Sequence, residues 1–414
     1  MRLIFILLSF ISIQVGAQTQ TDIFTALKSK HFFLAKEIYE AQKNSYTRQE
    51  RQYIEAVLHN AFNKPAQSNV MIDALLATPT SVPDSIALLL YRTRSDNFVK
   101  LFEYEKAAKA IETILERYTT LLEPQEQNDL KNSHLIWTKL KDVPKQVVNI
   151  PATTRMQLKI DKAGLKNLVA HHQQDSVDFV FDTGANISTV TVSTAKKLRM
   201  QLIPANIEVG TITGEKILAD LAVCPSLYIG AIELKNVVFL VLPDEALYFQ
   251  PIDYRINGII GFPVMNAFKE IHITRDQYFI IPEKETVYTA SSNMALDGLK
   301  PMIHINGMHF TFDSGADESM LYSKFYKAHR EDIDGKYQPQ DFSLGGAAGV
   351  KTFSGFSIPY TFTILDKKAH LDKVKVVKEP INDEENVYGN IGQDVINQFG
   401  VLILNFDKMF IKLN

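Results

Sequence analysis

The pattern of apolar and polar positions divides the chain into three stretches. Leu3 to Val15 is a largely apolar run of 13 residues behind Arg2. From Thr21 to about Lys141 apolar residues recur every three to four positions, as in Phe33-Leu34-Ala35 with Ile38-Tyr39 and Ala41, and glycine is absent. That spacing predicts amphipathic helices. Tyr53 to Phe62 is one, stopped at Asn63-Lys64 with Pro65 opening the next; Ser85 to Leu101 leads through Phe102-Glu103 into another that starts at Tyr104. Lys141 to Lys145, which contains Pro144 and neighbouring charges, breaks the helical period and reads as a linker. Beyond Gln146 the pattern becomes short alternating runs with turns between them, which predicts β-strands.

Within the β region one stretch occurs twice. Phe179-Val180-Phe181-Asp182-Thr183-Gly184-Ala185 is an apolar run that delivers a carboxylate into a tight turn, and Phe310-Thr311-Phe312-Asp313-Ser314-Gly315-Ala316 repeats it at an offset of 313 − 182 = 131. Average composition would put one Asp-(Thr/Ser)-Gly in a chain of this length roughly one time in five, so a single copy carries little weight. The register, however, persists: Gly258-Ile259-Ile260-Gly261 falls on Gly389-Asn390-Ile391-Gly392, and Val264 to Phe268 falls on Val395 to Phe399. The β region is therefore an internal duplication with one equivalent carboxylate in each half.

Each half also carries a glycine-bearing tip. Gly210-Thr211-Ile212-Thr213-Gly214 reads as a strand-turn-strand, and Gly345-Gly346-Ala347 occupies the matching place, since 214 − 182 = 345 − 313 = 32. Both tips are expected to cover a carboxylate and contact substrate. His171-His172 reads as a solvated hairpin tip, because no third ligand at sensible spacing accompanies the pair. Asn186-Ile187-Ser188 fits the glycosylation pattern, but a sugar there would block the turn that carries Asp182.

Composition narrows the classes. At 414 residues and 46% hydrophobic the chain can bury cores for two or three domains. A net charge of −3 gives no electrostatic footprint for nucleic acid. The single cysteine, Cys224, lies in an apolar run, excludes an intramolecular disulfide and reads as a small buried hydrophobe. The N-terminal apolar run is too short to span a bilayer and ends in Val15-Gly16-Ala17, so it reads as a signal peptide removed after Ala17, giving an exported, periplasmic or secreted protein without a membrane span. An uncleaved interfacial anchor is the alternative.

The two Asp-(Thr/Ser)-Gly turns, each followed by a glycine after 261 − 182 = 392 − 313 = 79 residues, resemble the signature of aspartic peptidases over about Gln146 to Asn414. Ala185 and Ala316 make the turns similar to the retropepsin-like branch, while two units in one chain are similar to the pepsin-like arrangement. The first tip departs from pepsin-like enzymes in having no tyrosine. The resemblance implies an all-β, two-lobe fold whose catalytic pair is Asp182 and Asp313. It further implies that Thr183 and Ser314 bond across to the opposite turn, that Gly184 and Gly315 allow close approach, and that Gly261 and Gly392 let the later apolar element pack behind. It implies a peptide or protein substrate, no metal or other cofactor, and a monomer. The helical region resembles tetratricopeptide-type helix pairs without their usual tryptophan and glycine. It either presents a concave surface to a protein partner or props the next domain. The expected organisation is thus a signal peptide (1–17), an α-helical domain (18–145) and two β lobes (146–283 and 284–414). A catalytically retired binding or scaffolding protein is the competing function; the retention of both aspartates separates it from the peptidase reading.

Ala185 and Ala316 stand where acid-active relatives place a serine hydroxyl, so the ionised pair lacks a donor and its pKa is expected to rise. Raised carboxyl pKa values move the window in which the pair holds one proton towards neutrality. Cleavage measured against pH should therefore peak at mildly acidic to near-neutral values; an optimum below about 3, where an isolated aspartate is protonated, would refute this.

Overall fold

The computed structural model describes residues 22–77, 82–210, 216–249, 253–289, 291–305, 307–346, 349–381 and 386–414. The expected signal segment lies outside them, as do Thr211, Ile212, Thr213, Gly214 and Ala347 of the expected tips.

The N-terminal layer contains α1 (Ile23–Lys28), α2 (Phe32–Gln42), α3 (Arg48–Ala61), α4 (Pro65–Leu76), α5 (Asp84–Lys100), α6 (Tyr104–Arg117) and α7 (Pro124–Lys139). Helix α3 starts earlier than the apolar period predicts because Thr47 and Glu50 form a capping box, each side chain accepting the other's backbone N–H. With no glycine available, Lys30, Asn63 and Phe102 close helices with φ of 59°, 54° and 56°. That left-handed conformation costs a non-glycine residue roughly 1–2 kcal/mol. In return the next N–H reaches back to the helix: His31 to Ala26 O at 2.8 Å, Lys64 to His59 O at 2.7 Å and Glu103 to Phe98 O at 2.8 Å. A buried amide cluster ties the helices together. Asn97 accepts from Asn60 at 2.8 Å and donates to Ser68 at 2.8 Å and Asn69 at 2.9 Å.

Among the described residues the β region forms two large sheets of like construction, one sheet shared between them and a two-stranded ribbon of Tyr248–Phe249 with Tyr254–Arg255. In the first half the strand order is Val147–Asn149, Ile232–Leu242, Thr189–Thr191, Gly258–Ile260, Asp175–Phe181, Lys166–His172, Lys216–Ile229, Gln201–Gly210. In the second half, Met308–Phe312 and Gly389–Ile391 pair in parallel, as Asp175–Phe181 and Gly258–Ile260 do. The third sheet runs Thr154–Gln157, Tyr278–Ile281, Glu270–Thr274, Val401–Asn405, Phe410–Leu413. At its centre His272 faces Ile403, which is its own equivalent under the duplication (403 − 272 = 131). Phe179, Phe181, Phe310 and Phe312, the alternating aromatics before the two carboxylates, are among the largest fully buried side chains.

His172 overturns the expectation of a solvated tip. The pair ends the strand Lys166–His172; His172 is buried, with Nδ1 2.5 Å from the Ser226 carbonyl, and the His171 ring stacks on Tyr228 at 5.1 Å. Alternation along that strand sends the His172 side chain inward, which a loop reading could not anticipate. Trp137 lies in the core, stacked on Tyr104 at 5.7 Å.

The helical layer is docked on both halves. Asn63 donates to Asn266 at 2.8 Å and to the Phe406 carbonyl at 2.7 Å; Phe33 stacks on His304 at 4.8 Å; Lys30 pairs with Asp297 at 2.6 Å. On the first half, Asn132 of α7 imitates a neighbouring strand. Its amide donates to Glu208 O at 2.7 Å and accepts from Glu208 N–H at 3.0 Å, on the edge strand Gln201–Gly210. Phe32, Phe33, Ile54 and Phe62 of the layer belong to the same buried cluster as the β strands, and Val99, Ile111, Ile136 and Trp137 join Ile207, Leu221 and Leu242 in a second. A chain beginning at Gln146 would uncover these faces. It should aggregate or bind an apolar dye and unfold without cooperativity, whereas cooperative unfolding of a monomeric β region would contradict so intimate a packing.

Candidate active site

Two strands built from aromatic and β-branched residues, Asp175–Phe181 and Met308–Phe312, end at the two aspartates. Each aspartate stays tied to the parallel neighbour: Asp182 N–H donates to Ile260 O at 3.2 Å and Asp313 N–H to Ile391 O at 3.0 Å. The chain then turns. Ala185 N–H returns to Asp182 O at 3.2 Å and Ala316 N–H to Asp313 O at 3.4 Å. Within each turn a glycine N–H donates to the carboxylate, Gly184 to Asp182 Oδ1 and Gly315 to Asp313 Oδ1, both at 2.8 Å.

The turns are joined by an exchange of hydroxyls. Thr183 Oγ1 donates to the Phe312 carbonyl at 2.7 Å and accepts from Ser314 N–H at 2.9 Å. Ser314 Oγ donates to the Phe181 carbonyl at 2.8 Å and accepts from Thr183 N–H at 3.1 Å. Both residues are 1% exposed, so every hydroxyl and backbone group in this knot has a partner out of reach of water. Glycine follows because the turns meet there. A Cβ on Gly184 would stand 2.9 Å from the Asp313 carboxyl carbon, and one on Gly315 would stand 2.5 Å from that of Asp182.

The carboxyls of Asp182 and Asp313 thus face each other across the meeting turns, each against the glycine of the opposite one. Burial first, then the neighbouring Asp313 charge and its hydrogen bond, push the Asp182 carboxyl well above the usual carboxylate range; the Gly184 and Ala185 N–H groups pull the other way without prevailing. Such a pair can hold one proton between two oxygens, offering a base and an acid side by side.

The remaining predicted residues fall around this centre. Gly261 and Gly392 each donate N–H to a buried hydroxyl, that of Ser188 at 3.0 Å and of Ser319 at 2.9 Å, and Phe262 and Gln393 N–H donate to Ala185 O and Ala316 O, both at 2.9 Å. A Cβ on Gly261 would lie 2.7 Å from the Ala185 carbonyl oxygen, so the later element packs directly behind the turn. Gly210 and Gly345-Gly346 end the two hairpins, in register with Lys216 and with Val350-Gly349. Sequence reasoning took Ser188 only as part of a glycosylation pattern and passed over Ser319, although the two are 319 − 188 = 131 apart. Asn390 interrupts the second apolar element, and the loss is compensated: facing it is Thr311, whose hydroxyl donates to Asn390 Oδ1 at 2.8 Å, where the first half pairs Val180 with Ile259. Cys224 is buried and its thiol pushed up to about 11 by that burial, which leaves it without thiolate at neutral pH. Among the described residues no cluster of His, Cys, Asp and Glu could hold a metal ion, and no helix is long and apolar enough to cross a membrane.

Residues 169–264 match the family model described as aspartyl protease, a segment that holds Asp182 and Gly261 and stops before Asp313. No curated protein matches the chain. Among solved structures, a retropepsin-like aspartic protease from Rickettsia conorii is similar at 20% identity over 33% of this chain and 94% of that one, with a TM-score of 0.22.

Removing one hydroxyl from the knot strands buried partners on both turns. Thr183→Val, close in shape, leaves the Phe312 carbonyl and the Ser314 N–H unsatisfied. It should lower unfolding free energy by about 1–3 kcal/mol per group stranded, read by chemical denaturation, and Ser314→Ala should do the same. Denaturation midpoints equal to that of the unmodified protein would show that the exchange does not hold the turns.

Proposed function

We propose that the protein is an aspartic endopeptidase that hydrolyses peptide bonds through a water molecule activated by Asp182 and Asp313. The observation that carries this reading is the pair of carboxyls brought face to face, each against the glycine of the opposite turn and held there by the Thr183–Ser314 exchange. Amide hydrolysis needs a water made nucleophilic and a proton for the leaving nitrogen. In the proposed reaction the ionised carboxylate accepts a proton from the water as its oxygen bonds to the carbonyl carbon, and the protonated carboxyl donates to the carbonyl oxygen. Collapse of the tetrahedral intermediate breaks the C–N bond as the newly protonated carboxyl gives its proton to nitrogen and a hydroxyl of the intermediate returns a proton to the other carboxylate, which restores the pair. This chemistry uses only the two side chains and water.

The family match over residues 169–264 supports the peptidase class, and the repetition of its key residues in the second half supports a site complete within one chain. Export is part of the proposal and rests on the apolar Leu3 to Val15 segment with small residues before Gln18. The helix pairs, similar in pattern to tetratricopeptide-type repeats, act in this reading as a brace on the enzyme, supported by the docking of α7 on Glu208 and of Asn63, just beyond α3, on the Phe406 carbonyl.

A peptide library offered between about pH 3 and 8, a range that brackets carboxylate and histidine titration, should be cut by the unmodified protein. Asp182→Asn and Asp313→Asn should each lower kcat by at least about 10²- to 10⁴-fold, the usual worth of a positioned acid or base. Absence of cleavage by the unmodified protein across that range would overturn the peptidase reading.

A further inference from the structure

The two active turns are alike to within the resolution of the duplication, yet one of them is backed by a chain of polar groups that the other lacks. Lys166, on the strand Lys166–His172 of the first half, is 3% exposed. Its ammonium crosses to the second half and donates to Gln393 Oε1 at 2.5 Å and Asn397 Oδ1 at 2.8 Å. Gln393 Nε2 in turn donates to the Ser314 carbonyl at 2.9 Å. This orientation of the amide is the one that satisfies both neighbours, since an ammonium needs an acceptor and a carbonyl needs a donor. The carbonyl of Ser314 and the N–H of Gly315 belong to one peptide unit, and that N–H donates to Asp313 Oδ1 at 2.8 Å. A positive charge is thereby connected, through two polarisable amides, to one member of the carboxyl pair.

Among the described residues the first turn has no counterpart. The duplication puts Phe262 at the place of Gln393 (393 − 262 = 131), and its ring packs edge-on against Phe406 at 5.8 Å. Continuing each hairpin by one pair sets Lys166 opposite Phe181 and Pro301 opposite Phe312, so proline stands where the lysine would be. Hydrogen bonds in series strengthen one another, and the effect is larger away from water.

We propose that Lys166 and Gln393 are positioning residues that break the symmetry of the pair, holding Asp313 as the ionised member, the base towards water, and leaving the shared proton on Asp182. This deepens the peptidase reading and rests on it for the roles of base and acid. The rise of the Asp182 carboxyl, caused by burial and by the charge on Asp313, runs in the same direction. Burial lowers the Lys166 ammonium to about 8, so it remains charged through the acidic and neutral range. Other charged groups on the adjoining elements are engaged elsewhere. Asp161 is held by the N–H groups of Ala163 and Leu165, by Asn167 and by Tyr254; Asp394 is held by Ser319; Lys159 pairs with Asp178.

The test reads ionisation directly, on the full chain with aspartate side chains labelled with ¹³C at the carboxyl carbon and the two signals assigned through Asp182→Asn and Asp313→Asn. In the unmodified protein the Asp313 signal should report ionisation at lower pH than that of Asp182. In Lys166→Met and Gln393→Leu the two titrations should draw together, and the acid limb of kcat/KM should rise by about half to one pH unit, as expected on weakening a hydrogen bond to the charged form. Asp182 ionising first would overturn the proposal, as would variants that lower kcat while leaving the titrations and the pH profile unmoved. Asymmetric titration in a protein that cuts no peptide would retain this assignment and remove the peptidase reading. Symmetric titration in an active enzyme would do the reverse.

Discussion

Two hydroxyls, Thr183 and Ser314, each bonded to the other half's backbone, bring two carboxylates together at the seam of the molecule. Two full negative charges about 4 Å apart repel by roughly 4 kcal/mol in surroundings of effective dielectric constant near 20. Four neutral hydrogen bonds contribute net about 1 kcal/mol each, which is the same size. The knot can thus hold the carboxyls in contact but has little to spare for a second charge. Retaining a proton removes the conflict, and the upward shift of Asp182 follows from the same closeness that the hydroxyls enforce. Structure and chemistry have one cause here: the turns must touch, glycine lets them, and touching makes the pair an acid and a base at once.

The rest of the fold keeps that seam from opening. The shared sheet runs across the duplication axis with His272 opposite Ile403, so strands of both halves are bonded into one layer. The helical layer adds a second tie, reaching Asp297 and Phe406 in one half and Glu208 in the other. Its hold on Glu208 is made by a side-chain amide where a further strand would otherwise sit, which covers the backbone edge of the first hairpin. A layer joined to both halves limits their relative motion, and with it the spacing of the two turns.

Much of this was readable from sequence because duplication converts weak local signals into a register. Gly261, Gly392 and the two turns stand at fixed offsets, and the same arithmetic would have found Ser188 and Ser319. What the register could not show is contact between non-equivalent residues. Asn97 looks like one more polar residue in a helix, yet it joins three helices by accepting from Asn60 and donating to Ser68 and Asn69. Asn132 and Glu208 are 76 residues apart, and a side chain that imitates a strand leaves no periodic trace. Lys166 looks like the polar start of a strand; only the packing of one half on the other reveals that its charge is buried among amides. His172 failed as a surface residue for the related reason that strand alternation, not local polarity, decides which face it takes.

A duplicated site carries an inherent difficulty for acid–base chemistry, because identical turns would give two aspartates with equal claim to the proton. Symmetry within the turns is close: both glycine N–H bonds to carboxylate measure 2.8 Å, and both hydroxyls are satisfied alike. Distinction must therefore come from what stands behind them, and there the copies diverge. Phe262 fills its place with an apolar ring, while Gln393 fills the equivalent place with an amide that bonds the turn on one side and a buried ammonium on the other. A buried lysine without a carboxylate partner is costly to keep charged, as its depressed pKa shows. That cost is offset in part by the bonds to Gln393 and Asn397, which a leucine at 166 could not make. It becomes intelligible if the charge serves the one peptide unit that faces Asp313.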